Sequence, residues 1–434
     1  MADDAAEAAS QVLGAMALDN NIAVATSPSA SDPGAGVASA SSSAAAVDAS
    51  LSTTSVGPPA ARATHVLETR LARILSVGER CIEESELRAL LTHTSATGRR
   101  PLCYDGFEPS GRMHIAQGIQ KAVNVNKLTS SGCDFVFWVA DWFAALNDKL
   151  GGDLKKIRVV GEYFIEVWKA SGMDMDHVRF MWASDSINAA PDEYWRRVMD
   201  VARLNSLARI KRCGPIMGRQ ENDNLSAAQV LYPCMQAADV FFLKADICQL
   251  GTDQLKVNML AREYCDATRP KISHKPVVLS HVMLPGLKAG QDKMSKSDPE
   301  SALWMEDTAA DVNSKIKKAF CPEKEVKGNP CLAYVRHLVI PAAGSLTILR
   351  KEANGGNVTY SDADVLEAAF AAGDLHPGDL KPALSKAINA LLQPVRDHFT
   401  NNPKAKALLK QVKSYKVTRS VARAPDAEAT SGSA

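Results

Sequence analysis

The string Lys293-Met294-Ser295-Lys296-Ser297 places two lysines on a short polar stretch that follows Pro285-Gly286-Leu287-Lys288-Ala289-Gly290. Glycine on the approach and small hydroxyl residues between the cations describe a loop able to move. Ammonium groups on such a loop suit a triphosphate, whose charge grows on the leaving group during phosphoryl or nucleotidyl transfer. Asp298 and Pro299 then have the chemistry of an N-cap and a first helical residue. Two lysines on a loop are by themselves an ordinary solvated patch. The whole five-residue string, placed after the last strand of a strand–helix region, carries the functional reading.

A phosphate-handling loop needs a nucleotide floor, and the chain offers one in Tyr104-Asp105-Gly106-Phe107-Glu108-Pro109-Ser110-Gly111-Arg112-Met113-His114-Ile115-Ala116-Gln117. A strand ends, a glycine-bearing loop crosses, and His114 opens a helix. Helix N-termini attract phosphate, and an imidazole there can donate to a phosphate oxygen. A third set lies on one helix near 225–238, where Tyr232, Gln236 and Asp239 at i, i+4 and i+7 share a face amid Leu231, Met235, Ala237 and Ala238. Polar groups in such apolar company need partners, either each other or a ligand. Gly251-Thr252-Asp253-Gln254 follows at the end of the next strand–loop segment.

Taken together, these strings resemble the class I aminoacyl-tRNA synthetases, and among them the tyrosyl-tRNA synthetases, from about Leu67 to Arg419. His114-Ile115 matches the first half of the family's His-Ile-Gly-His element; Ala116 and Gln117 depart from it, and Gln117 cannot carry the charge of the second His. The resemblance implies that Asp239 and Tyr104 hydrogen-bond a substrate phenol, and that Tyr232, Gln236 and Gln254 surround its ammonium. It implies nucleotide contacts from Gly106, His114, Gln117, Asp253, Lys293, Met294, Ser295, Lys296 and Ser297, with His114, Lys293 and Lys296 as the catalytic groups and Asp253 on the ribose. The implied reaction activates L-tyrosine with ATP and Mg²⁺, transfers it to tRNA, and uses no metal site of the protein. A Tyr/Asp pair suits a phenol because a phenol both donates and accepts a hydrogen bond.

Further along, Glu352-Ala353-Asn354-Gly355-Gly356-Asn357 and Leu375-His376-Pro377-Gly378-Asp379-Leu380-Lys381 resemble the stretches that touch the anticodon in archaeal and eukaryotic members. Asp379 matches the residue that reads the first anticodon base, with His376 beside it. Asn354 stands where relatives carry an aromatic that stacks on that base. The Tyr-Asp-Gly-Phe-Glu-Pro-Ser-Gly variant is similar to the plant cytosolic branch, which implies a cytoplasmic homodimer. Two alternatives share these features. A tryptophanyl-tRNA synthetase has the same lysine loop, but an indole has no hydroxyl for Asp239 and Tyr104. A catalytically silent RNA-binding paralogue would have no reason to keep His114, Lys293 and Lys296.

The elements that must position these residues are legible in the periodicity. Candidate strands are Leu102–Tyr104, Phe135–Val139, Val178–Trp182, Val240–Leu243 and Pro276–Leu279, with helices between them near 115–130, 154–171, 191–205, 225–238 and 252–265. A helical face also runs from Thr64 to Leu91. Strand–helix alternation predicts an α/β, Rossmann-like, doubly wound parallel sheet, with ligand beyond the carboxyl ends of the strands. After residue 300 only helical periods appear, near 309–320, 331–340, 363–371, 379–399 and 403–414. The predicted organisation is a low-complexity extension over 1–61, a catalytic domain over 62–300, a helical anticodon-binding domain over 301–421 and a tail over 422–434.

Composition bounds this reading. Of 434 residues, 50 are Lys or Arg and 49 Asp or Glu, but residues 1–61 hold six of the acids and no base, so the remainder carries 50 bases against 43 acids. A mildly basic body is compatible with RNA. Lys406, Lys410 and Lys413 share a helical face that reads as solvated, while Arg203, Arg209, Lys211 and Arg212 form a cluster that could meet an acceptor stem. Nine dispersed cysteines without a C-x-x-C pair read as reduced thiols. No apolar run reaches the roughly 18 residues of a membrane span. The Ala/Ser-rich N-terminus has the opposite charge of an organelle transit peptide.

Overall fold

The computed structural model describes residues 59–218, 224–292, 294 and 298–415, with the side chains of 59–63 and of Asn354 left aside. The extension up to residue 58, the tail, Lys293, Ser295, Lys296 and Ser297 therefore lie outside the described residues.

Six strands form the main sheet: β1 (Arg80–Ile82), β2 (Leu102–Phe107), β3 (Asp134–Val139), β4 (Val178–Trp182), β5 (Ile247–Cys248) and β6 (Val277–Ser280), in the order β1-β6-β5-β2-β3-β4. All neighbours from β6 to β4 are parallel, and only the edge strand β1 runs antiparallel, against β6. The chain builds outward from β2 to β4, then returns to lay β5 on the other side of β2. That reversal between β2 and β5 is where a parallel sheet leaves a crevice at its carboxyl edge.

Alternation along the strands divides the core. Cys103, Phe135 and Phe137 point to one face, and Tyr104, Val136 and Trp138 to the other, all of them buried. The first face is covered by the Leu154–Ala170 helix, where Trp168 stacks on Phe137 at 4.3 Å between centroids. Each such fully buried side chain contributes about 1.5–3 kcal/mol.

Two sequence expectations are corrected by the fold. Val240–Leu243 is not a strand: Val240, Phe241 and Phe242 are the last turn of the Ala227–Phe242 helix, which starts on a Ser226/Gln229 capping box. A four-residue apolar run has no period of its own, and this one buries against the second core face. The true strand is β5, two residues long and too short to show a pattern. The helical face from Thr64 to Leu91 is broken by β1, giving the helices Pro59–Leu75 and Glu84–Thr97.

The C-terminal region is helical, as expected, with one addition. Its helices include Ala309–Lys318, Ala363–Ala372, Pro377–Asn401 and Pro403–Ser414, and a hairpin of β7 (Leu346–Ile348) and β8 (Val358–Tyr360) stands among them. Leu346 and Ile348 face inward and Thr347 outward, a strand alternation too brief to separate from helix in the sequence. Leu384, Ile388, Leu392 and Val395 of the long helix pack into the same core as the first face of the sheet. His398 reaches Glu166 at 2.8 Å, and Phe399 meets Tyr163 at 5.6 Å.

Candidate active site

A cavity of about 420 Å³ opens at the crevice between β2 and β5, a size that suits a small-molecule ligand. Its walls come from the ends of β2 and β3, from the loops after β5 and β6, and from the Ala227–Phe242 helix. Tyr104, Gly106, His114, Gln117, Tyr232, Gln236, Asp239, Asp253, Gln254 and Met294 all line it. The structure thus brings together every described residue that the sequence marked for tyrosine and nucleotide.

One end is dry. Tyr104 and Asp239 are each 1% exposed, Tyr232 5% and Gln236 8%, whereas His114, Gln117, Asp253 and Gln254 are half-buried. At the dry end the Tyr194 hydroxyl donates to Asp239 Oδ1 at 2.8 Å. Burial pushes the Asp239 carboxyl well above the usual range, with Tyr194 and then Trp138 acting against it. The Tyr104 hydroxyl is buried beside the Gln236 amide without a hydrogen bond of good geometry among the described residues. Burial also drives its pKa upward, so it stays a donor. A buried hydroxyl left without a partner costs free energy that a ligand atom can restore.

Midway, Tyr232 donates to Glu108 Oε1 at 2.6 Å, and Asn147 Nδ2 reaches both Glu108 oxygens at 3.0 and 3.1 Å. Lys149 stands 3.6 Å from the same carboxylate. Gln236 Nε2 donates to Gln254 Oε1 at 2.9 Å, which leaves the Gln236 carbonyl oxygen as an acceptor. Phe143 packs edge-on against the Tyr232 ring at 5.1 Å. A carboxylate and amide oxygens around a narrow space are suited to an ammonium group.

The cavity floor is formed in part by a buried ionic network that includes Asp105, Lys121 and His281. Lys121 pairs with Asp105 on β2, and it donates to Gln249 O at 3.0 Å and Gln249 Oε1 at 2.6 Å. Gln249 Nε2 is 2.8 Å from His281 Nδ1. Burial lifts the Asp105 carboxyl to about 6, opposed by Lys121, and lowers the Lys121 ammonium, opposed by Asp105. His281 is pushed well below its ordinary value by burial and then by Lys121, so it is neutral. The network ties the ends of β2, β5 and β6 together at the cavity.

His114 is held by a short antiparallel contact with Trp304, in which Ile115 N donates to Leu303 O at 2.8 Å and Met305 N to Met113 O at 3.0 Å. The first turn after it, Ala116–Gln120, is a π-turn, and the α-helix proper is Lys121–Ser130. Gly118 makes this approach possible: a Cβ there would sit 2.1 Å from Met305 Sδ. Arg112 lies over Trp304 at 4.7 Å and pairs with Glu306 and Asp307, locking the same contact from outside. Gln117 Oε1 is buried without a partner among the described residues, and Met294, 8% exposed, lines the cavity.

Comparison with known proteins agrees with this geometry. Residues 96–393 match the family described as tRNA synthetases class I (W and Y). The chain belongs to this family.

Among class I synthetases it is 59% identical over 374 residues to cytoplasmic tyrosine–tRNA ligase 1 of Arabidopsis thaliana, covering 86% of this chain and 96% of that protein. It is 61% identical over 353 residues to the plant's cytoplasmic tyrosine–tRNA ligase 2, covering 81% of this chain but only 46% of the relative. The tyrosyl-tRNA synthetase of Leishmania major, solved with tyrosinol, superposes with a TM-score of 0.76 at 54% identity, covering 81% of this chain and 61% of the other.

The second set of sequence-marked residues in this synthetase lies far along the chain and does not line the cavity. His376 caps the Pro377–Asn401 helix, accepting from Gly378 N at 2.9 Å, and its Nε2 meets Glu323 at 2.7 Å. Asp379 lies in the first turn, half-buried. Arg350 reaches Gly356 O at 3.0 Å and Asp374 O at 2.8 Å, which draws the loop bearing Asn354 toward the turn bearing His376. Half of the basic cluster is engaged in local pairs: Arg209 forks onto Glu263 at 2.6 and 3.0 Å, and Arg203 pairs with Asp200 at 2.6 Å. Lys406, Lys410 and Lys413 are exposed on the face opposite Ala405, Leu408 and Val412.

Sequence reasoning missed Tyr194, Asn147 and the Asp105–Lys121–Gln249–His281 network. Glu108 sat inside the first motif but gave no sign of its partners. No motif marks Tyr194; only its position on the inner face of the Pro191–Arg203 helix, with Val198 and Val201, signals that it is buried.

Proposed function

We propose that this synthetase is a tyrosine–tRNA ligase acting in the cytoplasm, as its plant relatives' names state of them. The observation that carries the proposal is the dry end of the cavity, where the Tyr104 hydroxyl, without a hydrogen bond of good geometry among the described residues, and the Asp239 carboxylate share one small space. A substrate phenol donates to Asp239 and accepts from Tyr104; an indole N–H can only donate and leaves Tyr104 unserved, and a phenyl ring does neither. Tyr232, Gln236 and Gln254 take the ammonium, with Glu108 behind Tyr232.

The nucleotide enters as its Mg²⁺ complex over Gly106, His114, Gln117, Asp253 and Met294. The tyrosine carboxylate oxygen attacks the α-phosphorus, the bond to the β-phosphate oxygen breaks, and pyrophosphate leaves. A hydroxyl at the tRNA 3′ end then takes the tyrosyl group and AMP leaves. The attacking group is already an anion, so the first step needs no general base. Rate comes from holding the reactants in line and from groups on the phosphates: His114, Ser295 and Ser297 donate hydrogen bonds, and Lys293 and Lys296 of the loop bring positive charge. The helical region over 301–421 binds the tRNA anticodon through Asp379, His376 and Asn354, beside the catalytic unit over 62–300. A second copy of the chain is the partner that the family resemblance implies.

Asp239→Ala tests the pocket. It should lose discrimination of tyrosine over phenylalanine in amino-acid-dependent ATP–pyrophosphate exchange by at least about tenfold, since each buried polar group left unpaired costs about 1–3 kcal/mol. Unchanged rejection of phenylalanine would place the side-chain pocket elsewhere.

A further inference from the structure

Tyr194 sits on the Pro191–Arg203 helix, outside every motif, and is fully buried. Its ring packs edge-on against Phe242 at 5.2 Å and Trp195 at 5.6 Å, which fixes its direction. Its hydroxyl carries one proton. The Asp239 oxygen at 2.8 Å takes that proton, and the Met235 carbonyl at 3.5 Å is the weaker acceptor. Among the described residues no cation pairs with Asp239. The groups facing it are Tyr104 from β2, Tyr232 on its own helix, Tyr194, and the Trp138 indole from β3. All three phenols are pushed upward by burial and keep their protons through the neutral range.

We propose that Tyr194 is the positioning residue that holds Asp239 ionised and aimed at the substrate phenol, and so sets how strongly this enzyme rejects phenylalanine. The inference rests on Asp239 being the phenol's partner. A carboxylate in a dry pocket needs donors to stay charged, and a hydrogen bond to the charged form favours that form. Tyr194 is a permanent donor, present before substrate arrives. The substrate phenol supplies the next one. When phenylalanine enters instead, the anion loses water and gains nothing, which is costly. If Asp239 were neutral, phenylalanine would strand only an uncharged acid, a smaller penalty, and the phenol proton of tyrosine would face a weaker acceptor. Charge on Asp239 therefore amplifies the difference between the two substrates, and Tyr194 sustains the charge without touching either.

The sign of the pH effect follows. Removing the hydroxyl raises the Asp239 pKa, so the neutral acid gains at low pH and the anion returns as pH rises. The test is exchange with tyrosine and with phenylalanine in the parent, Tyr194→Phe, Asp239→Asn and the double variant, from about pH 6 to about pH 9. Burial already raises the Asp239 carboxyl and Tyr194 opposes that rise, so parent discrimination should reach its full value at a lower pH than in a variant without the donor. Tyr194→Phe should lose about ten- to a hundredfold of it at the acid end, the equivalent of one charged hydrogen bond, through a raised KM for tyrosine, and regain it toward the alkaline end. Asp239→Asn should show no such recovery, and adding Tyr194→Phe to it should change little. Full discrimination in Tyr194→Phe, a loss equal at every pH, or additive losses in the double variant would overturn the inference. If Tyr194→Phe folds poorly, Tyr194→Gln, which retains a donor, should restore the parent profile; a profile shifted to higher pH there also overturns it. Unaltered discrimination in Asp239→Asn would instead bring down the pocket reading itself.

Discussion

Replacing Glu108 by Gln probes the middle of the cavity with almost no change in shape. The carboxylate accepts from Tyr232 at 2.6 Å and from Asn147 at 3.0 and 3.1 Å, and its side chain is 16% exposed. A glutamine offers one acceptor oxygen and a donor nitrogen. Tyr232 can keep the oxygen, but the Asn147 amide then faces an amide N–H₂, donor against donor. The negative charge behind the ammonium position also disappears. One charge-assisted hydrogen bond contributes about 1.5–3 kcal/mol, and partial exposure favours the lower part of that range. The KM for tyrosine should rise roughly tenfold, since about 1.4 kcal/mol is a factor of ten, with a smaller change in kcat because the ammonium is bound equally in ground and transition states. The assay is ATP–pyrophosphate exchange over a range of tyrosine concentrations. An unchanged KM, or a fall in kcat alone, would refute the placing of the ammonium beside Tyr232 and Glu108.

Lys121→Met should destabilise the enzyme by about 3–5 kcal/mol in urea unfolding, because it strands the buried Asp105 carboxylate. The Asp105→Asn/Lys121→Met pair should recover much of that loss, and simple additivity would contradict the ion pair. The Cys331 thiol first, then the Asn329 amide, lower Cys321 to about 7, whereas burial lifts Cys81 to about 11. Iodoacetamide should therefore label Cys321 with a midpoint near pH 7 and leave Cys81 behind. Asp379→Ala should raise the KM for tRNA in charging and leave pyrophosphate exchange intact; a normal KM would remove Asp379 from the anticodon site.

The dry end of the site was legible because its residues obey local rules. Tyr232, Gln236 and Asp239 share a helical face by their spacing, and the family resemblance pairs Asp239 with Tyr104, which lies within β2, a strand that runs on through Gly106 to Phe107. Strands β2, β3 and β4 are five or six residues of apolar pattern, enough to read. Strands β1 and β5 are three and two residues, and pairing, not propensity, makes them strands. Val240–Leu243 shows the converse: the same apolar run serves a helix when a capped start precedes it. The partners of Asp239 and Glu108 were hidden for a different reason. Tyr194 meets Asp239 across 45 residues of chain, and Tyr232 meets Glu108 across 124. Lys121 reads as a polar face of a helix until the fold closes Asp105 and Gln249 over it.

The central claim is the choice of amino acid. The most direct measurement is ATP–pyrophosphate exchange by the full chain with tyrosine, tryptophan and phenylalanine side by side. Exchange that depends on tyrosine, with the other two near background, is the result expected from a Tyr104/Asp239 pocket. Exchange supported equally by tryptophan, or none with any of the three, would contradict it.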